Sequence, residues 1–181
     1  SYQKRAIETM NLILNTLRIK NDRVIRAWEL NERHYGALTG LNKDEMKKTI
    51  GEEKVQEFRR SWDIRPEPLN RNNPYHPINI EAYKNIPKDK IPDTESLKDT
   101  FQRVIPYFEK NILDKLNKNI IIAAHGNSVR ALCKYLFNID NKKISKLEIP
   151  TGNPLLITFD NNKIKQAKYL DASRAKDLIK F

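Results

Sequence analysis

Cysteine is nearly missing from these 181 residues: Cys133 stands alone, so no disulfide can form within the chain and a disulfide-stapled secreted scaffold is excluded. It lies among apolar residues of an expected helix, where a buried thiol is usually inert. No apolar run reaches the length of a membrane-spanning helix and no signal-peptide pattern opens the sequence, so the expected location is the cytoplasm, with no membrane partner. Acidic residues are also scarce, 23 Asp and Glu against 34 Lys and Arg, for a formal charge of +11. These cations are spread along the chain without a basic block or a nucleic-acid reader motif. That argues against nucleic acid as a partner and suits a small, highly anionic ligand steered into a cleft. Internal repeats and low-complexity blocks are lacking too. With 39% hydrophobic and 31% charged residues the sequence reads as globular. Its length fits a single domain over 1–181 with a surface insertion around 64–92.

What is present follows two periods. Ala6, Met10, Ile13, Leu14 and Leu17 recur at helical spacing and predict an amphipathic helix ending in the Lys20-Asn21-Asp22 turn. Val24 to Trp28 predicts a short strand, followed by the polar loop Glu29 to Gly36. Asn42 with Glu45 resembles a capping box, opening a helix that Gly51 can close, and a second helix is expected from Glu52 to Ser61 with Arg59 and Arg60 in its last turn. Prolines and asparagines mark 64–92 as a surface excursion with one short helix near Ile80 to Lys84. Leu97 to Leu116 predicts a long helix bent at Pro106. Leu155 to Phe159 and Ile164 to Leu170 flank Asp160-Asn161-Asn162 as a hairpin.

The chain is organised around Ile120-Ile121-Ile122-Ala123-Ala124-His125-Gly126-Asn127-Ser128. A continuous apolar run of strand length predicts a parallel strand covered on both faces, in mid-sheet. The polar break comes where such a strand would meet a helix, a place that favours anions and where ligands of open α/β sheets bind. Gly126 allows a sharp turn, Asn127 and Ser128 can cap the helix, and His125 is expected to face the crevice. A hydrogen-bonded core histidine is an equal alternative from this stretch alone. Polar residues expected at strand or helix ends are Arg5, Glu32, Tyr35, Lys43, Arg59, Arg60, His125 and Asn127. Several cations, one carboxylate and a histidine would form a pocket for a ligand with a carboxylate and one or two phosphates. Taken singly, the Arg59-Arg60 pair more commonly marks a solvated helix face and Lys43 a first-turn surface lysine, and Glu32 could merely balance Arg33.

Leu30-Asn31-Glu32-Arg33-His34-Tyr35-Gly36, Gly40-Leu41-Asn42-Lys43, Arg59-Arg60, Ala123 to Ser128 and Ile149-Pro150-Thr151-Gly152 resemble the cofactor-dependent (2,3-bisphosphoglycerate-dependent) phosphoglycerate mutases of the histidine phosphatase superfamily. The match runs from Lys4-Arg5-Ala6 to about Tyr169; 171–181 has no counterpart. The resemblance implies an α/β three-layer sandwich, with a mostly parallel sheet and helices on both faces. It implies interconversion of 3-phosphoglycerate and 2-phosphoglycerate in glycolysis and gluconeogenesis, through a phosphohistidine. Priming is by 2,3-bisphosphoglycerate and needs no metal. The implied partners are small phosphorylated three-carbon acids and further copies of the chain, as dimer or tetramer. Carried over by position, Glu32 would be the general acid and base and His125 would stabilise the transferring phosphoryl group. Arg5, Arg33, Tyr35, Lys43, Arg59, Arg60, Gly126 and Asn127 would bind substrate or phosphate. A cage of Arg and protonated His is what phosphoryl transfer asks for.

The family's Arg-His-Gly motif, whose histidine takes the phosphoryl group, has no counterpart among His34, His76 and His125. The sequence is therefore expected to be the later part of a longer mutase, lacking the N-terminal part of the fold and inactive alone. A histidine-type phosphatase and a non-catalytic anion-binding fragment are the competing readings.

Overall fold

Residues 1–20 and 24–175, except the Lys43 side chain, are described in the computed structural model. The expected turn at Lys20-Asn21-Asp22 and the end of the unmatched stretch 171–181 fall largely outside them. Six α-helices and one hairpin form the regular structure of the described residues: α1 (Lys4–Leu17), α2 (Lys43–Ile50), α3 (Glu52–Arg60), α4 (Leu97–Asn111), α5 (Gly126–Leu136), α6 (Asn141–Ile144), β1 (Leu155–Asp160) and β2 (Lys163–Tyr169).

Helix boundaries follow local chemistry. Asn42 caps α2 by accepting from the Asp44 N–H at 2.8 Å, and Gly51, at φ 85°, separates α2 from α3. Ser96 and Asp99 form a reciprocal capping box at the start of α4. That helix runs on through Pro106 and gives way at Ile112 to a 3-10 turn over Leu113–Lys115, short of the expected Leu116. Segment 64–92 is irregular, with 3-10 turns at Pro77–Asn79, Glu81–Tyr83 and Lys88–Lys90; the second falls where the short helix is expected. The hairpin turns on Asn161 and Asn162, both at positive φ, the backbone that matches the strand twist.

α4 packs on α5. Val104, Ile105 and Phe108 meet Ala131 and Leu132, and Ala27 and Leu30 join them from the preceding loop. A second cluster gathers Leu97, Cys133, Ile139, Ile144 and Leu147. Cys133 is buried within it and burial pushes its thiol up to about 12, in keeping with an inert core residue.

The α and β content agrees with an α/β chain, but the sheet differs from expectation. The described residues form one two-stranded antiparallel sheet, not a mostly parallel sheet with helices on both faces. Neither Val24–Trp28 nor Ile120–Ala124 is a strand: Trp28–Leu30 winds into a 3-10 turn, and residues 119–125 carry no regular structure. Ile120 and Ile121 are 39% and 44% exposed, whereas Ile122 and Ala124 pack on the α4–α5 core, so this run is not covered on both faces. A strand exists only through the N–H and C=O groups of a neighbour, and among the described residues neither run has one.

Candidate functional site

α5 begins where that run ends. His125, extended at φ −128° and ψ 163°, is its N-cap residue, and the His125 N–H donates to Ser128 Oγ at 3.1 Å. Ser128 thus supplies the cap and Asn127 is left free to point elsewhere. The Asn127 side chain reaches the loop after Leu30: Nδ2 donates to Glu32 Oε1 at 3.0 Å and to the Tyr35 hydroxyl at 2.8 Å. Glu32 Oε1 also accepts from the backbone N–H groups of Arg33 (2.8 Å) and Asn127 (3.3 Å). Three donors thus hold one carboxylate oxygen. Oε2 accepts from none of the described residues, and it lies 4.0 Å from where a side chain on Gly126 would begin. A side chain there would begin at ordinary van der Waals distance from that oxygen.

From the other side, α1 delivers Arg5, whose Nε donates to His125 Nδ1 at 3.1 Å. Arginine cannot accept a hydrogen bond, so Nδ1 is the unprotonated ring nitrogen and Nε2 carries the hydrogen. Nε2 meets Ser1 Oγ at 2.9 Å, and Ser1 Oγ in turn donates to Asn31 Oδ1 at 2.9 Å. Burial first, then the positive charge of Arg5 among others, brings His125 from 6.5 down to about 3. The site as it stands therefore holds a neutral imidazole and not the protonated histidine expected from sequence.

This shift has a consequence for acid stability. Between pH 6.5 and about 3 the unfolded chain binds a proton at this position that the folded chain does not. His125 thus leaves stability intact above pH 6.5 and lowers it progressively as pH falls toward 3. Urea melts at pH 7 and pH 4.5 check this: His125→Gln should narrow the loss between the two, and an unchanged loss would mean that His125 titrates normally.

Of the other expected site residues, Arg33 is 2% exposed and reaches α3, where Nη2 donates to the carbonyls of Phe58 (2.8 Å) and Arg59 (3.2 Å) and so satisfies the last turn of that helix. Its guanidinium lies 4.5 Å from the Tyr35 ring centroid, and that of Arg59 lies 5.3 Å from it. Arg60 pairs with Glu148. Lys43 opens α2. Arg5, Glu32, Arg33, Tyr35, Arg59, His125, Gly126 and Asn127 therefore belong to one connected group, while the Arg60 contact is made to the loop after α6.

Sequence reading missed the residues that brace this group. Gln3 Oε1 accepts from the Glu32 N–H at 3.1 Å and from Arg5 Nη2 at 3.3 Å, while Gln3 Nε2 donates to the Tyr83 hydroxyl at 2.9 Å. Arg103, its side chain 12% exposed, pairs with the buried Glu95 at 2.7 Å and donates to the carbonyls of Glu29 and Glu32. Arg130, one turn along α5, donates from Nη1 to Asn127 Oδ1 at 2.9 Å. A polar residue on a helix reads as solvated surface whether or not it is buried. The one available signal was position, since Gln3 stands two residues before Arg5 and Arg130 three after Asn127.

The family model described as "Histidine phosphatase superfamily (branch 1)" matches residues 1–73 and 72–172. Proteins named "2,3-bisphosphoglycerate-dependent phosphoglycerate mutase" are similar to this chain. That of Pelagibacter ubique is 64% identical, with 100% of this chain and 77% of the relative aligned. For that of Hydrogenobaculum sp. the identity is 47%, over 94% of this chain and 70% of the relative. For that of Maricaulis maris it is 46%, over 98% and 75%. By the family model and by the length and identity of these alignments, the chain belongs to the histidine phosphatase superfamily and, within it, to the family of the 2,3-bisphosphoglycerate-dependent phosphoglycerate mutases.

Proposed function

We propose that this site serves a phosphoglycerate mutase that interconverts 3-phosphoglycerate and 2-phosphoglycerate. The observation that carries the reading is the single network in which a carboxylate with one oxygen tied and one free lies beside an arginine-bound histidine. Glu32 Oε2 is the atom to exchange a proton with the substrate hydroxyl. The Nε2–H of His125 and the guanidinium of Arg5 donate to the phosphoryl oxygens, where fixed donors stabilise the transferring group. Tyr35, Arg59, Arg60 and Lys43 hold the rest of the substrate, with Arg33 behind them, and Asn127 stands beside the phosphoryl site.

Priming by 2,3-bisphosphoglycerate is consistent with the residues present. Nε and Nη1 of Arg33 are buried donors without an acceptor among the described residues, beside the Arg59 guanidinium over the same Tyr35 ring, as a ligand with many anionic oxygens requires. When bound, that primer supplies the phosphoryl group. The phosphohistidine route, the place in glycolysis and gluconeogenesis and a dimeric or tetrameric state rest on the resemblance, and cytoplasmic location on the single cysteine and the lack of a membrane-length apolar run.

The test supplies 3-phosphoglycerate with a trace of 2,3-bisphosphoglycerate to the full-length protein and measures 2-phosphoglycerate and free phosphate together. Isomer far in excess of phosphate is expected; phosphate without isomer would make the protein a phosphatase. Arg60→Ala should raise KM about tenfold or more with kcat little changed, since it removes binding shared by ground and transition states. An unmoved KM would leave Arg60 as the partner of Glu148 alone.

A further inference from the structure

Arg130 is 3% exposed, and no carboxylate pairs with it among the described residues. Its acceptors are both neutral: Asn127 Oδ1 and the backbone carbonyl of Ile144 at the end of α6. Burial first, then the positive charges of Arg60 and Arg33, pull its guanidinium down to about 10 against the weaker opposing effects of Tyr35 and of the Glu148 carboxylate, which itself pairs with Arg60. A buried cation beside other cations is an expensive way to brace two helices, because a neutral side chain of the same length fills the space without the desolvation penalty.

What a neutral apolar side chain could not do is orient Asn127. A carboxamide has two nearly isosteric ends, and only its partners decide which faces which way. Arginine has five N–H donors and no acceptor, so the end of Asn127 that meets Arg130 must be the oxygen. The amino end is then turned toward Glu32 Oε1 and the Tyr35 hydroxyl, where it donates to both. Were the amide reversed, two oxygens would face each other at the carboxylate and Glu32 would lose a tether on Oε1.

We infer that Arg130 is a positioning residue of the mutase site: by fixing the Asn127 carboxamide it holds Glu32 with Oε1 engaged and Oε2 free for the substrate. This rests on the function proposed above. Arg130 acts on turnover through Asn127 and not through the ligand, so its effect disappears once Asn127 is gone.

A double-mutant cycle on the full-length protein tests this, with Asn127→Ala, Arg130→Met and the pair compared by kcat and KM for 3-phosphoglycerate. Arg130→Met should lower kcat about tenfold with KM within about twofold, the scale at which a misplaced group slows catalysis. In the Asn127→Ala background the same change should add nothing. Arg130→Lys, still a donor without acceptors, should recover most of the loss. If the Met variant does not fold, Arg130→Gln completes the cycle, since its carboxamide can present either a donor or an acceptor to Asn127 and so no longer dictates which end faces it. Independent, multiplying effects, or a fall in thermal stability with kcat unchanged, would leave Arg130 as a structural brace and overturn the inference while the mutase reading stands. Full turnover in Asn127→Ala would instead bring down the reading of the site, and the positioning role with it.

Discussion

Replacing Glu32 by glutamine should slow isomerisation by about 10³-fold while leaving KM for 3-phosphoglycerate within about twofold. The substitution is chosen by the geometry. Oε1 receives N–H groups from Arg33 and Asn127, contacts that a glutamine oxygen can keep, and the new amino group then falls on the Oε2 side, beside Gly126. Fold and substrate contacts should survive, and what is lost is the ability to take up and return a proton. A kcat unchanged by Glu32→Gln would show that the proton on the substrate hydroxyl travels by another route. A large rise in KM with kcat intact would make Glu32 a binding residue.

His125→Ala should cost turnover about 10²- to 10³-fold, the scale for removing one donor aimed at a transferring group. Because Arg5 occupies Nδ1 and burial keeps the ring neutral, the imidazole offers an N–H dipole at Nε2, not a full positive charge. Two outcomes follow. His125→Gln, which retains an N–H near that point, should recover part of the loss. The alanine variant should also release Arg5, so affinity for 2,3-bisphosphoglycerate should weaken together with kcat. Rate and affinity both at the level of the unaltered protein would remove His125 from the site and leave it a buried N-cap residue of α5.

Much of this was legible in the sequence, for reasons that differ by element. Helical periodicity is a property of one segment, so α1, α2, α3 and α4 could be read within a few residues of their observed ends, and the Asn161-Asn162 turn declared its hairpin through residues that tolerate positive φ. Strands in a sheet are properties of pairs. The apolar run Ile120–Ala124 had the composition of a buried strand, but composition cannot supply the neighbour whose hydrogen bonds define one. Within the site, Glu32, His125 and Asn127 stood out as polar residues at ends of apolar segments. Gln3, Arg103 and Arg130 did not, because only their tertiary hydrogen bonds distinguish a bracing polar side chain from a solvated one. The charge state of His125 was also out of reach, since it follows from burial and from the approach of Arg5 across 120 residues of sequence.

The reading depends most on one crevice, between the start of α5 and the Glu32 loop, taking a phosphoglycerate. Titrating the isotopically labelled protein with 3-phosphoglycerate while following the Asn127 side-chain amide and the His125 ring by NMR tests this without requiring turnover. Both signals should move along a single saturation curve, and Arg5→Ala should weaken that curve. Saturable binding that shifts neither Asn127 nor His125 would put the ligand elsewhere on the molecule and contradict the site proposed here.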